Sequence, residues 1–92
     1  MMENIGNRRI LVVDDDPSFR ELLTAFLDDR GYEVESSADG EEALELLRSE
    51  TADLVLLDLE LPGISGLDVL RAIESEKIDT KVITISGHEA AA

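Results

Sequence analysis

The sequence predicts an α/β domain built on a doubly wound parallel sheet with strand order 2-1-3-4. Two observations predict it. Short apolar runs rich in β-branched residues alternate with stretches whose apolar residues recur at helical spacing, and only a few residues connect one to the next. Runs that are apolar on both faces belong inside a sheet covered by helices on each side. Right-handed crossovers then leave few topologies open. The length, 92 residues, supports one domain.

The elements follow in order. Ile10-Leu11-Val12-Val13 is a first strand, buried on both faces. Asp16 before Pro17 has the form of an N-cap followed by proline at the first helical position. Phe19, Leu22, Leu23, Phe26 and Leu27 then mark one face of a helix, which Gly31 ends as its C′ residue. Tyr32 to Ser36 alternates and forms a second strand. Asp39-Gly40-Glu41-Glu42 opens a second helix, with Glu42 at the capping-box position, and Ala43, Leu44, Leu46 and Leu47 are its apolar face. Asp53 to Asp58 is a third strand, apolar between two acids. Pro62-Gly63 and Ser65-Gly66 mark a turn-rich loop before a third helix that carries Leu67, Val69, Leu70 and Ile73. Val82 to Ile85 is a fourth strand, Ser86-Gly87 turns out of it, and residues 88–92 can begin another helix. Residues 1–8 are expected to be a flexible N-terminal segment. The succession β-α-β-α-β-α-β at this size suits the flavodoxin-like doubly wound arrangement.

Composition narrows the function classes. A formal net charge of −14 disfavours direct binding to nucleic acid or to an anionic membrane surface. The absence of cysteine excludes disulfides and thiolate metal sites. No apolar run approaches the roughly 20 residues of a membrane span, and residues 1–9 lack the apolar core of a signal peptide. A cytoplasmic protein is the expectation. Aromatics make up 3% of the chain, too few for a base-stacking platform.

The fold turns some of the acids into a candidate site. Asp14 and Asp15 end the first strand and Asp58 ends the third. In a 2-1-3 order these strands are neighbours, so the three carboxylates meet at the switch point where open α/β sheets bind ligands. Ser86 ends the fourth strand on the same rim. Carboxylates held together raise one another's pKa values unless a cation joins them, and Mg²⁺ takes this kind of oxygen ligand. A carboxylate beside such a metal can attack phosphorus and form an acyl phosphate. Ser86 and backbone N–H groups after Asp58 are candidate donors to its oxygens. Taken singly, each feature also has a plain reading: a solvated acidic turn capping a helix, a strand-end acid, a turn hydroxyl.

ILVVDDD at residues 10–16, DLVLLDLELPGISG at 53–66 and VITISGH at 82–88 resemble the receiver domain of bacterial two-component response regulators. The resemblance spans nearly the whole chain in order and spacing. It implies that Asp58 is the phosphorylated aspartate, that Asp14 and Asp15 are the acidic metal-binding pair, and that the backbone carbonyl of Glu60 is a further ligand. It implies that Ser86 is the switch hydroxyl, and that the Glu60 and His88 side chains tune phosphate lifetime. It further implies a sensor histidine kinase as phosphoryl donor, Mg²⁺ as cofactor, and a phosphoacceptor that assists its own phosphorylation and dephosphorylation rather than an enzyme with a separate substrate.

The chain departs from the family by stopping before the fifth strand and fifth helix, so a single, C-terminally incomplete receiver domain over 1–92 is expected. The fifth-strand lysine that contacts the phosphoryl group has no counterpart; Lys77 and Lys81 are placed at the opposite rim. An uncovered fourth strand offers an edge for a homodimer. The alternative function is an unphosphorylated, receiver-like interaction or dimerisation module. A phosphohydrolase with Asp14 as nucleophile leaves Asp58 and Ser86 without roles. An FMN-binding flavodoxin needs donors where the first loop is acidic.

Overall fold

The computed structural model describes residues 8–85. Four strands and three helices alternate: β1 Arg9–Val13, α1 Pro17–Asp29, β2 Glu33–Ser37, α2 Gly40–Ser49, β3 Leu54–Asp58, α3 Gly66–Ser75 and β4 Lys81–Ile85. The strands form one parallel sheet in the order β2-β1-β3-β4, as the apolar alternation predicted. β1 pairs Val13 with Ser37 on one side and with Leu57 on the other. That register sets the C-terminal ends of β1 and β3 side by side. At the other end, Asp53 fastens the same two strands: its N–H donates to the Arg9 carbonyl and its carboxylate accepts from the Arg9 N–H, both at 2.8 Å.

The core lies on one face of the sheet. Leu11 and Val13 of β1 and Val55 and Leu57 of β3 pack there with Ala43, Leu44 and Leu47 of α2 and Val69 and Ile73 of α3. Ile10 and Val12 are buried as well, but on the opposite, α1 side. Both faces of β1 are therefore covered, which is why its run is uninterruptedly apolar.

α1 behaves differently from the expectation of a core helix. Leu23 and Leu27 of its apolar stripe are half-buried, but none of its residues is fully buried; Phe19, Leu22 and Phe26 are exposed, Leu22 to 68% and Phe26 to 51%. Ile83 on β4, one of the two outer strands among the described residues, is 52% exposed. On this face α1 rests on β1 and β2, leaving Ile83 uncovered among the described elements.

The helix ends follow the sequence signals with two corrections. Asp16 caps α1, accepting from the N–H groups of Ser18 and Phe19 at 3.0 and 3.4 Å, and Gly31 follows the helix at φ 96°. Asp39 caps α2 by accepting from the Glu42 N–H at 2.8 Å. The reciprocal half of the expected capping box is not made: the Glu42 carboxylate lies 2.9 Å from the Ser37 hydroxyl, which also accepts from the Asp39 N–H at 3.3 Å. The buried Ser37 stands between the two groups and takes both contacts. The second correction concerns Ser65-Gly66. Ser65 is the N-cap of α3, in a full capping box with Asp68, and Gly66 is already helical. Between helices, Arg48 near the end of α2 makes a bidentate pair with Glu76 at the end of α3, at 2.9 and 2.7 Å. Each partner favours the other's charged form, so the Arg48 pKa is raised and that of Glu76 lowered; the pair is solvent-exposed and contributes little to stability. No helix among the described residues is long and apolar enough to cross a membrane.

Candidate functional site

Asp14 follows directly on β1, Asp15 is next in the turn to α1, and Asp58 is the last residue of β3. Each offers a carboxylate oxygen, and the three oxygens lie within 4.8 Å of one another. Asp14 and Asp58 are buried, 3% and 1% exposed, whereas Asp15 is exposed. The site thus has two anchored acids beneath and one at the solvent boundary.

The anchoring is local. One oxygen of Asp14 accepts from the N–H of Asp16 at 2.8 Å, and one oxygen of Asp58 accepts from the N–H of Glu60 at 2.9 Å. In both cases an acid at a strand end bonds its own main chain two residues on, a turn that Asp forms readily. The main chain around them is tied to the outer strands: Asp14 N–H donates to the Ser37 carbonyl and Leu59 N–H to the Ile85 carbonyl, each at 3.1 Å. The sheet ladders continue one step past the strand ends, and they carry the acids with them.

The loop after Asp58 is held against α3. The Gly66 N–H donates to the Leu59 carbonyl at 3.1 Å. A Cβ on Gly66 would stand 2.4 Å from the Asp58 carbonyl oxygen and 2.5 Å from the Leu59 Cα. Only glycine lets the start of the helix approach the phosphoacceptor candidate's backbone this closely.

Three hard carboxylate oxygens at this separation fit a small divalent cation of the Mg²⁺ class. Two of them are buried, where like charges are costly without a compensating cation. Glu60 is exposed, and its backbone directly follows Leu59 at the site. Ser86 and His88 lie outside the described residues, as do residues 1–7 of the expected flexible segment. Lys81 opens β4 at the other rim, beside a groove of about 520 Å³ lined by Ile10, Leu27, Tyr32, Asp53 and Leu54.

Two contributors escaped the reading of the sequence. Gly66 stood out only as a turn marker, because the Ser65-x-x-Asp68 capping pattern that places it inside a helix went unused. Arg20 had no signal of its own: its guanidinium Nη1 donates to the Asp14 carbonyl oxygen at 2.8 Å, a contact that depends on the turn geometry.

Comparison with known proteins agrees with this architecture. Residues 10–92 match the model of the response regulator receiver domain. The DNA-binding response regulator MtrA of Mycolicibacterium smegmatis is 49% identical over 69 residues, which are 75% of this chain and 30% of that protein. The CAI-1 autoinducer sensor kinase/phosphatase CqsS of Vibrio cholerae is 43% identical over 81 residues, 88% of this chain and 12% of that protein. The chain therefore spans about a third or less of the length of these curated relatives. Among solved structures, the response regulator TrrA of Thermotoga maritima in complex with Mg²⁺-BeF superposes with a TM-score of 0.81 at 48% identity, over 92% of this chain and 76% of that one. TrrA in complex with the histidine kinase ThkA gives 0.82 at 49% identity, over 88% and 70%. With its family model matched over all but the first nine residues and its fold superposing on these structures, the chain belongs to the response regulator receiver domains.

Proposed function

We propose that this receiver domain accepts a phosphoryl group on Asp58 from the phosphohistidine of a sensor histidine kinase, with Mg²⁺ held by Asp14, Asp15, Asp58 and the backbone carbonyl of Glu60. The observation that carries the reading is the convergence of three carboxylate oxygens within 4.8 Å at the ends of two adjacent strands. The Mg²⁺–BeF complex and the kinase complex of TrrA support the cofactor and the partner.

A carboxylate oxygen of Asp58 attacks phosphorus as the bond to the donor imidazole breaks, and the imidazole, already protonated on its other ring nitrogen, leaves neutral. Asp58 is suited to this by its placement, since the Glu60 N–H holds one of its oxygens at 2.9 Å. The metal, when bound, neutralises charge on the transferring group. Ser86 is proposed as the hydroxyl that turns toward the phosphoryl group afterwards, and Glu60 and His88 as the side chains that govern water access to it. The domain acts as a substrate that assists its own modification, not as an enzyme on a separate substrate.

Acetyl phosphate tests the reading without a cognate kinase. With Mg²⁺ the protein should gain one acid-stable, base-labile phosphate by intact mass. EDTA or Asp58→Ala should abolish it. A folded sample that takes up no phosphate would instead support the unphosphorylated interaction module.

A further inference from the structure

Arg20 stands in the first turn of α1 and is partly buried. Its Nη1 donates to the carbonyl oxygen of Asp14 at 2.8 Å. That oxygen belongs to the peptide joining Asp14 to Asp15, the two neighbouring acids of the site. The orientation of this single peptide plane determines where both side chains can point. Arg20 also starts the helix, through its own N–H to the Asp16 carbonyl at 3.0 Å. Asp16 in turn gives its N–H to the Asp14 carboxylate. The turn is thus fastened by its side chain from within and by a guanidinium from outside.

Arg20 uses its charge differently from three of the other arginines. Arg9, Arg48 and Arg71 each make an ion pair with a carboxylate. Arg20 takes part in none of the ion pairs among the described residues, and its guanidinium is spent on a main-chain oxygen at the acidic site. Three carboxylates within 4.8 Å repel one another, and a swing of the exposed Asp15 away from the other two would relieve that repulsion. A charge-assisted bond to the Asp14–Asp15 peptide opposes that swing.

We infer that Arg20 is a positioning residue of the metal site, holding the Asp14–Asp15 peptide so that both acids face Asp58 before a cation arrives. This rests on the reading in which the three acids bind Mg²⁺. The consequence is a preorganised site whose affinity depends on a side chain that is not a ligand.

Mn²⁺ binding, followed by the electron paramagnetic resonance signal of the free ion with no phosphoryl donor present, tests it. The wild type should bind Mn²⁺ and Asp58→Asn should bind it far more weakly. Arg20→Met should bind about tenfold more weakly than wild type, the scale of one lost charge-assisted bond. Arg20→Lys keeps a charged donor and should recover part of the affinity, which a generic packing role would not give. Circular dichroism establishes that each variant is folded; should Arg20→Met not fold, Arg20→Gln takes its place with the same expectation. Wild-type affinity in the Met or Gln variant overturns the inference. So does tighter binding, the result that repulsion between guanidinium and metal would give. No recovery in Arg20→Lys overturns it too. If the wild type itself fails to bind Mn²⁺, the metal reading falls and takes this inference with it, an outcome distinct from the others.

Discussion

Replacing Gly66 by alanine is expected to destabilise the domain and to slow phosphate uptake at a residue that it does not replace. The new Cβ would lie 2.4 Å from the Asp58 carbonyl oxygen and 2.5 Å from the Leu59 Cα. Both are backbone atoms, so no flexible side chain can move aside. Either α3 shifts or the Asp58–Leu59 peptide does. Overpacking of this kind costs roughly 1–3 kcal/mol, and the rigid partners place Gly66→Ala at the upper end. The functional effect is larger in proportion, because displacement of a reacting group by about 1 Å can cost on the order of 100-fold in rate. Urea unfolding and acetyl phosphate uptake measure the two effects. Gly63→Ala is the control. Gly63 has φ 74° and nothing within 4 Å of a built Cβ, so its substitution brings local backbone strain of about 1–2 kcal/mol without reaching Asp58. Uptake as slow in Gly63→Ala as in Gly66→Ala would sink the account of helix approach.

Leu57→Ala is expected to have the largest effect on stability, about 2–5 kcal/mol. Leu57 is fully buried, in the core cluster, and directly precedes Asp58. In a domain with a total of roughly 5–15 kcal/mol, that loss could take most of the margin. Denaturant titration should show a lower midpoint with an unchanged slope. Leu22→Ala, at a site 68% exposed, should change stability by less than about 0.5 kcal/mol. Equal losses at the two leucines would contradict the assignment of the core to the α2–α3 face.

That contrast also shows what the sequence could and could not reveal. Strand order, element order and the convergence of Asp14, Asp15 and Asp58 were legible because they depend on period, short connections and handedness. The apolar stripe of α1 was legible as a stripe. Its incomplete burial was not, since periodicity gives the direction of a face and not what covers it. Glu42 followed a capping pattern, yet its carboxylate lies against the Ser37 hydroxyl at the end of β2. The pattern is local, and Ser37 competes for the same groups only once β2 is in place. Arg20 and Gly66 were missed for a similar reason. One acts through a main-chain carbonyl six residues back in the chain, the other through the absence of a side chain against a loop. Arg20 leaves no mark in composition or spacing, and the Ser65-x-x-Asp68 spacing puts Gly66 inside a helix without showing what the helix approaches.

Asp58, and no other acid of the cluster, is the proposed site of the acyl phosphate. Borohydride reduction reads this directly, because it converts an aspartyl phosphate to homoserine and leaves free carboxylates untouched. After treatment with acetyl phosphate and Mg²⁺, peptide mass spectrometry of the reduced protein should place homoserine at position 58 alone. Homoserine at position 14 or 15, or none in a folded and Mg²⁺-supplied sample, would contradict the account.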